Sequence, residues 1–378
     1  MKHANLTAAI GVSVIAVASF LILPVLVGET VHSLGFNEKQ AGLFASIVML
    51  GSTLSAALAA IWVRRVDWHK ALLLMLAGLM IGNTVSIFAD QFVPFLISQF
   101  LVGFCGGAAY SLALTALSDG DRPERNFGFS LAAQVSFQVI GLVAGPYLAA
   151  LAGIDALLFS LVVLDLVALS LLRWFPANSK VAVSNRERTG LLKPAPLLAL
   201  GGCFFFFFNV GCYWTYIELI GEAAGIDKQQ IGLSLAGGVS LGIAGALFAS
   251  WCGDRFGQLR PLAIGAIGTV IAVVFLGDGL TALTLFLTVA LYNFVWNYSL
   301  AFQYAAVNDL DSSGRGIAAA PAFHGAGGAA GPAVAAYMIS SDSFIAVNYL
   351  VAGSVLISLT LFILAYIFKS YGRNTQHA

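Results

Sequence analysis

The sequence predicts an all-α integral membrane protein, with twelve transmembrane helices arranged as two pseudo-symmetric six-helix bundles. Three observations predict it. First, 59% of the 378 residues are hydrophobic and 10% are charged, and the mean hydropathy is +0.90. A soluble domain carries about 25% charged residues, so water is not this chain's solvent. Second, apolar runs of membrane-spanning length recur along the whole chain, each near the roughly 20 residues that a helix needs to cross a bilayer. Third, the Lys and Arg between those runs fall almost entirely on one side.

In order, the runs predict spans over 5–27, 41–62, 70–89, 93–117, 127–150, 154–173, 195–219, 230–252, 261–277, 280–307, 316–340 and 345–368. The first is too long for the apolar core of a signal peptide, and other spans follow it. Most connections are short. The polar stretch Phe175–Lys193 is the exception and reads as a linker, with an N-terminal bundle over 1–175, a linker over 176–193 and a C-terminal bundle over 194–378. With the N-terminus placed inside and the sides alternated, the outer loops hold only Lys39 and Lys228 of the 18 Lys and Arg. That asymmetry predicts both termini in the cytoplasm of a multi-pass inner (plasma) membrane protein.

Composition also excludes functions. The net charge is zero, which leaves no basic face for nucleic acid. Cys105, Cys203, Cys212 and Cys252 lie in apolar runs without metal-ligand spacing and read as small packing residues. The forty glycines suit close helix packing in lipid. No P-loop is present, so no nucleotide cofactor is expected, and neither HExxH nor a nucleophile dyad argues for an intramembrane enzyme.

Three segments repeat at nearly constant offset. Gly35-Phe36-Asn37-Glu38-Lys39-Gln40-Ala41-Gly42-Leu43 matches the segment from Gly225 to Leu233, 190 residues later. Tyr110-Ser111-Leu112-Ala113 returns as Tyr298-Ser299-Leu300-Ala301, and Gly141-x-x-x-Gly145-Pro146 as Gly327-x-x-x-Gly331-Pro332. Parallel repeats of this kind are a transporter architecture with the substrate site between the halves.

The loop after span eight reads Gly253-Asp254-Arg255-Phe256-Gly257-Gln258-Leu259-Arg260-Pro261. It resembles the G-x-x-x-D-R-x-G-R-R signature of the major facilitator superfamily, with Ser250 at the first family glycine. The corresponding first-half loop keeps Arg65 and Lys70 but has Arg64 in place of the aspartate. The resemblance implies that Asp254, Arg255, Gly257 and Arg260, with Arg65 in the first half, form the cytoplasmic gate. Span five resembles in part the glycine-rich segment of the family's antiporters, through Gly141, Gly145 and Pro146 alone. Helix packing with a proline kink accounts for the same residues.

Ionisable residues at bilayer depth are costly and mark function. Two sit well inside spans, Asp165 in span six and His324 in span eleven, and both are candidates for proton coupling. His324 occupies the repeat position of Gln138, and histidine titrates near neutral pH. Glu29 and Glu218, near outer span ends, are the rival carboxylates. Amides and aromatics at mid-depth supply candidate substrate contacts. Span ten presents Tyr292, Trp296, Ser299 and Gln303 on one stripe and Asn293, Asn297 and Tyr304 on the next. Span seven adds Asn209, Tyr213 and Tyr216, span four Gln99 and Tyr110, and span five Gln134 and Gln138. The resemblance places spans one, four, seven and ten around a central cavity. Trp62 and Trp214 read as interfacial-belt residues, and the Phe204–Phe208 run as lipid contact and packing.

The reading that follows is a monomeric secondary transporter for a small organic solute, coupled to protons. With no Lys or Arg well inside the spans, the expected solute is neutral, amphipathic or aromatic, or a cation. A membrane sensor built on a transporter fold is the alternative outside transport, and within it uptake and efflux both stand open.

Overall fold

The structure is a computed structural model, described over residues 3–119, 123–178, 194–253, 255–277, 279–311, 315–339 and 343–374. Among these the chain is built from helices: α1 His3–Ile15, α2 Ala18–Leu21, α3 Leu23–Leu34, α4 Glu38–Trp62, α5 Trp68–Ile87, α6 Phe92–Ser118, α7 Pro123–Leu171, α8 Pro194–Ala223, α9 Lys228–Cys252, α10 Leu259–Val274, α11 Ala282–Leu310, α12 Arg315–Met338 and α13 Ile345–Asn374.

Eight of these are individually long and apolar enough to cross a bilayer. One is α7, which has 49 residues and leaves helical geometry at Ala152 and Gly153, so its two arms are two crossings. The broken α1–α3, the short α10 and the glycine- and proline-rich α12 complete the twelve. The first span is the correction to the sequence reading: it is not one helix over 5–27 but three pieces, parted at Ala16–Val17 and at Ile22. Pro24, which has no N–H to donate, sits two residues past the second break.

The chain divides into two compact units, 1–186 and 187–378. Their internal packing repeats. In the first, α4 packs on α6, α5 on α6 and on α7, and α1 and α3 on α7. In the second, α9 packs on α11, α10 on α11 and on α13, and α8 on α12 and α13.

The repeated residues explain themselves in these units. Gly35 and Gly225 both take a left-handed backbone, φ 66° and 79°, which ends one helix. Two residues on, Asn37 and Asp227 cap the next: the Asn37 side chain accepts from Gln40 N–H, and the Asp227 side chain from Gln229 N–H. Small residues then set the spacing. A Cβ on Gly103 would lie 2.1 Å from the Val48 carbonyl oxygen in the α4–α6 pair. One on Gly245 would lie 2.1 Å from that of Phe294 in the α9–α11 pair. Helices this close gain dispersion contact along their length, which is what holds them together where lipid removes the hydrophobic drive.

All four cysteines are buried and free, as expected of packing residues. Trp214 is 1% exposed, so its assignment to an interfacial belt is corrected. Within the phenylalanine run, Phe206 and Phe208 are buried rather than turned to lipid.

Candidate functional site

In the second unit the polar residues of α8, α11 and α12 gather in two clusters. The first surrounds His324. Its Nε2 lies 3.3 Å from Gln303 Oε1, and its Nδ1 lies 3.4 Å from the Tyr304 hydroxyl. An amide oxygen only accepts, so the proton is on Nε2, and Nδ1 accepts from Tyr304. Phe207 stacks on the imidazole with centroids 4.1 Å apart, and Tyr304 meets it edge-on at 5.4 Å. Trp296 stands edge-on to Phe207 at 6.3 Å. A neutral imidazole is thus satisfied by two neutral partners and an aromatic face. Gln303 Nε2 and Trp296 Nε1 are buried donors without an acceptor among the described residues. Such donors are rare in folded proteins and call for an explanation, of which a missing partner is the simplest.

In the second cluster, the Tyr292 hydroxyl donates to Asn209 Oδ1 at 2.5 Å, and Asn209 Nδ2 donates to the Phe206 carbonyl at 2.5 Å. Tyr213 and Tyr292 stack at 3.7 Å with their planes 7° apart. Tyr216 is fully buried, 6.2 Å from the Phe344 ring. Asn293 and Asn297 donate to carbonyls one turn back in their own helix, at 2.9 and 3.0 Å. The Asn297 amide fills the space left by Gly242 on α9. These two amides therefore serve helix packing here, unlike Gln303.

In the first unit, Tyr110 and Gln134 are neighbours. Gln134 Nε2 donates to Ser130 Oγ at 3.1 Å, and Ser130 meets Ser13 of α1 at 2.6 Å. Gln138 Nε2 donates to the Leu21 carbonyl at 3.2 Å, at the break in the first span. The repeat holds at this level too. Gly141 faces Ile22, and Gly327 faces the backbone at Phe204 and Phe208. Residue 21 advanced by the same offset of 186 is 207, so Gln138–Leu21 and His324–Phe207 are counterpart contacts.

Gln99 and Asp165 lie apart from that group. Gln99 Nε2 donates to Ser86 Oγ at 2.9 Å, and Ser86 meets Ser98 at 2.7 Å. Asp165, 1% exposed, accepts from Asn83 Nδ2 at 2.8 Å. Both sequence candidates are thus tied to α5 and join it to α6 and to the second arm of α7. Glu29 is buried and accepts from Ser33 at 2.9 Å.

Of the gate residues, Asp254 lies outside the described residues. Arg65, Arg255 and Arg260 are exposed, and the Arg255 guanidinium lies 5.5 Å from the Trp251 ring. Gly257 turns its loop at φ 64°. The first-unit loop carries an ion pair that sequence reasoning missed: Arg64 Nη1 to Asp119 Oδ1 at 3.0 Å, with the Asp119 side chain 5% exposed. It ties the end of α4 to the end of α6, so Arg64, the departure from the family pattern, is itself paired. Phe207, Ser13, Ser130 and Asn83 were missed as well. For Phe207 the usable signal was the repeat offset; for the others only tertiary contact identifies them.

Comparison with known proteins follows the same outline. The family model described as Major Facilitator Superfamily matches twice, over residues 8–201 and 199–377. The Escherichia coli (strain K12) protein named "Putative transporter AraJ" is 26% identical over 299 residues, covering 73% of this chain and 72% of that one. The solved structure of the nucleoside transporter NupG superposes with TM-score 0.77 at 13% identity, covering 97% of this chain and 99% of that chain. A bacterial homolog of the human lysosomal transporter Spinster, inward-facing and occupied, superposes with TM-score 0.74 at 13% identity, covering 97% of each. These structures share the fold. With a family model spanning both halves, twelve crossings and a packing pattern that repeats in each unit, this chain belongs to the Major Facilitator Superfamily and is a membrane transporter of small solutes, not an enzyme.

Proposed function

We propose that the protein is a proton-coupled secondary transporter of the inner membrane, with both termini cytoplasmic. Its solute is small, organic, and neutral or cationic, with an aromatic or amphipathic face. The carrying observation is the His324 cluster. Phe207, Trp296 and Tyr304 offer aromatic faces, and Gln303 and Trp296 offer buried donors that lack acceptors among the described residues. The two side chains that hydrogen-bond His324, Tyr304 and Gln303, are both neutral. A multivalent anion there would be desolvated without a countercharge, which is prohibitive. Flat neutral rings stack on such faces, and cations are drawn to them.

His324 is the proposed proton carrier. Its contacts with Tyr304 and Gln303 suit the neutral ring, and the Tyr304 hydroxyl reverses from donor to acceptor when Nδ1 takes a proton. Asp165, bonded to Asn83 and away from the cluster, is the second candidate. Tyr110, Gln134 and Gln138 are proposed as the first unit's contribution to binding, and Asp254, Arg255, Gly257 and Arg260 with Arg65 as the gate.

The test is counterflow in proteoliposomes with a panel of labelled neutral aromatics, organic cations and dicarboxylates. Saturable exchange of an aromatic or cationic member, weakened about tenfold in Trp296→Ala, supports the reading. Saturable exchange of a dicarboxylate alone contradicts it. The sign of the response to an imposed pH gradient separates uptake from efflux.

A further inference from the structure

One open cavity of mixed lining lies far along the chain from the His324 cluster. It has a volume of about 530 Å³ and is lined by His69, Leu169, Ser170, Leu172 and Arg173. It sits where α7 ends in a single 3-10 turn, Leu172–Trp174, beside the start of α5. His69 Nε2 donates to the Phe175 carbonyl at 2.6 Å, and Trp68 N–H donates to the Ala177 carbonyl at 2.8 Å. A carbonyl only accepts, so the ring is fixed with its other nitrogen available. Arg173 is exposed and sits over the Trp174 ring, its Cζ 3.6 Å from the centroid. Stacking leaves the in-plane N–H donors of a guanidinium free, and Arg173 has no ion-pair partner among the described residues. Asp67, two residues before His69, is engaged in accepting from Lys70 N–H at 3.0 Å.

An apolar stripe leads to this cavity. Val163, Leu166 and Val167 are 44%, 52% and 45% exposed. With exposed Ser170 they follow i, i+3, i+4, i+7 spacing, which is one face of a helix. Arg173 is the next step along that face. Trp174, 39% exposed, supplies the ring that favours the headgroup level. Apolar chain contact, then a hydroxyl, then an unpaired guanidinium and an imidazole is the sequence of groups a phospholipid would meet from tail to head. An anionic headgroup supplies the countercharge that Arg173 lacks.

We propose that this cavity binds the headgroup of one anionic phospholipid, with Arg173 on the phosphate, His69 and Ser170 on its polar substituents, and the acyl chains along Val163, Leu166 and Val167. The rival for Arg173 is a purely structural role, a cation near the C-terminal end of α7.

The purified full chain in neutral detergent tests this by thermal unfolding with added phosphatidylglycerol, phosphatidylcholine or inorganic phosphate, with native mass spectrometry counting retained lipid. Phosphatidylglycerol is expected to raise the wild-type midpoint above the phosphatidylcholine value, and inorganic phosphate to leave it unchanged. Arg173→Gln should weaken phosphatidylglycerol retention about tenfold, the loss of one charge-assisted contact. Arg173→Lys should keep most of it, and His69→Gln should lose part. An undiminished phosphatidylglycerol response in Arg173→Gln overturns the proposal. So does a full response to inorganic phosphate, or a fall in midpoint that is equal in both lipids.

Discussion

Alanine at Gly327 probes the closest approach of a described glycine to another helix's backbone in the second unit. A Cβ there would sit 2.0 Å from the Phe204 carbonyl oxygen, 2.9 Å from its carbon and 3.0 Å from Phe208 N. Ordinary contact begins at 3.4 Å, so α8 and α12 would have to part by about 1.4 Å. The obstacles are backbone atoms, which no rotamer change can move. The cost therefore falls at the upper end for overpacking, about 3 kcal/mol. Gly141, the repeat counterpart, would instead meet the Ile22 Cγ2 methyl at 2.5 Å, a side-chain atom that can shift where backbone cannot, for about 1 kcal/mol. Gly353 on α13 has nothing within 4 Å, so alanine there should be neutral or gain up to about 1 kcal/mol in helix propensity. At roughly 2–4 °C per kcal/mol, Gly327→Ala should unfold about 6–12 °C below wild type in detergent. His324 lies one turn before Gly327, so counterflow affinity should fall as well. A Gly327→Ala midpoint within experimental error of Gly353→Ala would refute the account of how these helices pack.

Other outcomes follow from single contacts. Tyr292→Phe leaves Asn209 Oδ1 buried without its donor and should cost about 1–3 kcal/mol, read as a lower midpoint; an unchanged midpoint would deny that bond. Asp119→Asn removes the partner of a one-third exposed Arg64, worth only about 1 kcal/mol. Its effect should appear in turnover more than in half-saturation, and a pure half-saturation change would speak against a gating role. The Asp67 carboxyl is held below its ordinary value, first by the Lys70 backbone N–H. A depressed value means that its stabilisation is present above pH 3.8 and is lost as pH falls through the folded value. Asp67→Ala should therefore lower the midpoint at neutral pH, with the gap closing in acid. A gap independent of pH would place the effect elsewhere.

The sequence was most informative where periodicity and charge act over long stretches. Twenty-residue apolar runs and one-sided basic loops carry the crossings, because lipid permits few alternatives. The repeat at Gly35 and Gly225 was legible as text, and its meaning, a left-handed turn followed by a cap, appears only in the backbone angles. The break of the first span was signalled by Pro24, but the apolar run overrode it: hydropathy does not register a missing donor. Side-chain direction was the least legible layer. Asn293, Asn297, Gln99 and Gln303 look alike in sequence. Three of them donate to neighbouring protein groups, while Gln303 keeps a buried donor unused. Pairings across long separations, such as Arg64 with Asp119 or His69 with Phe175, exist only once helices are placed side by side.

Transport by His324→Gln in proteoliposomes tests the central claim most directly. Glutamine stands at the repeat position, Gln138, where it donates to a neighbouring span, so the substitution preserves a hydrogen-bonding side chain on the same helix face. The account predicts solute counterflow at near wild-type rate and loss of accumulation driven by an imposed pH gradient. Full pH-driven accumulation in the variant would contradict it, removing His324 from the coupling mechanism and leaving a carboxylate such as Asp165 to carry the proton.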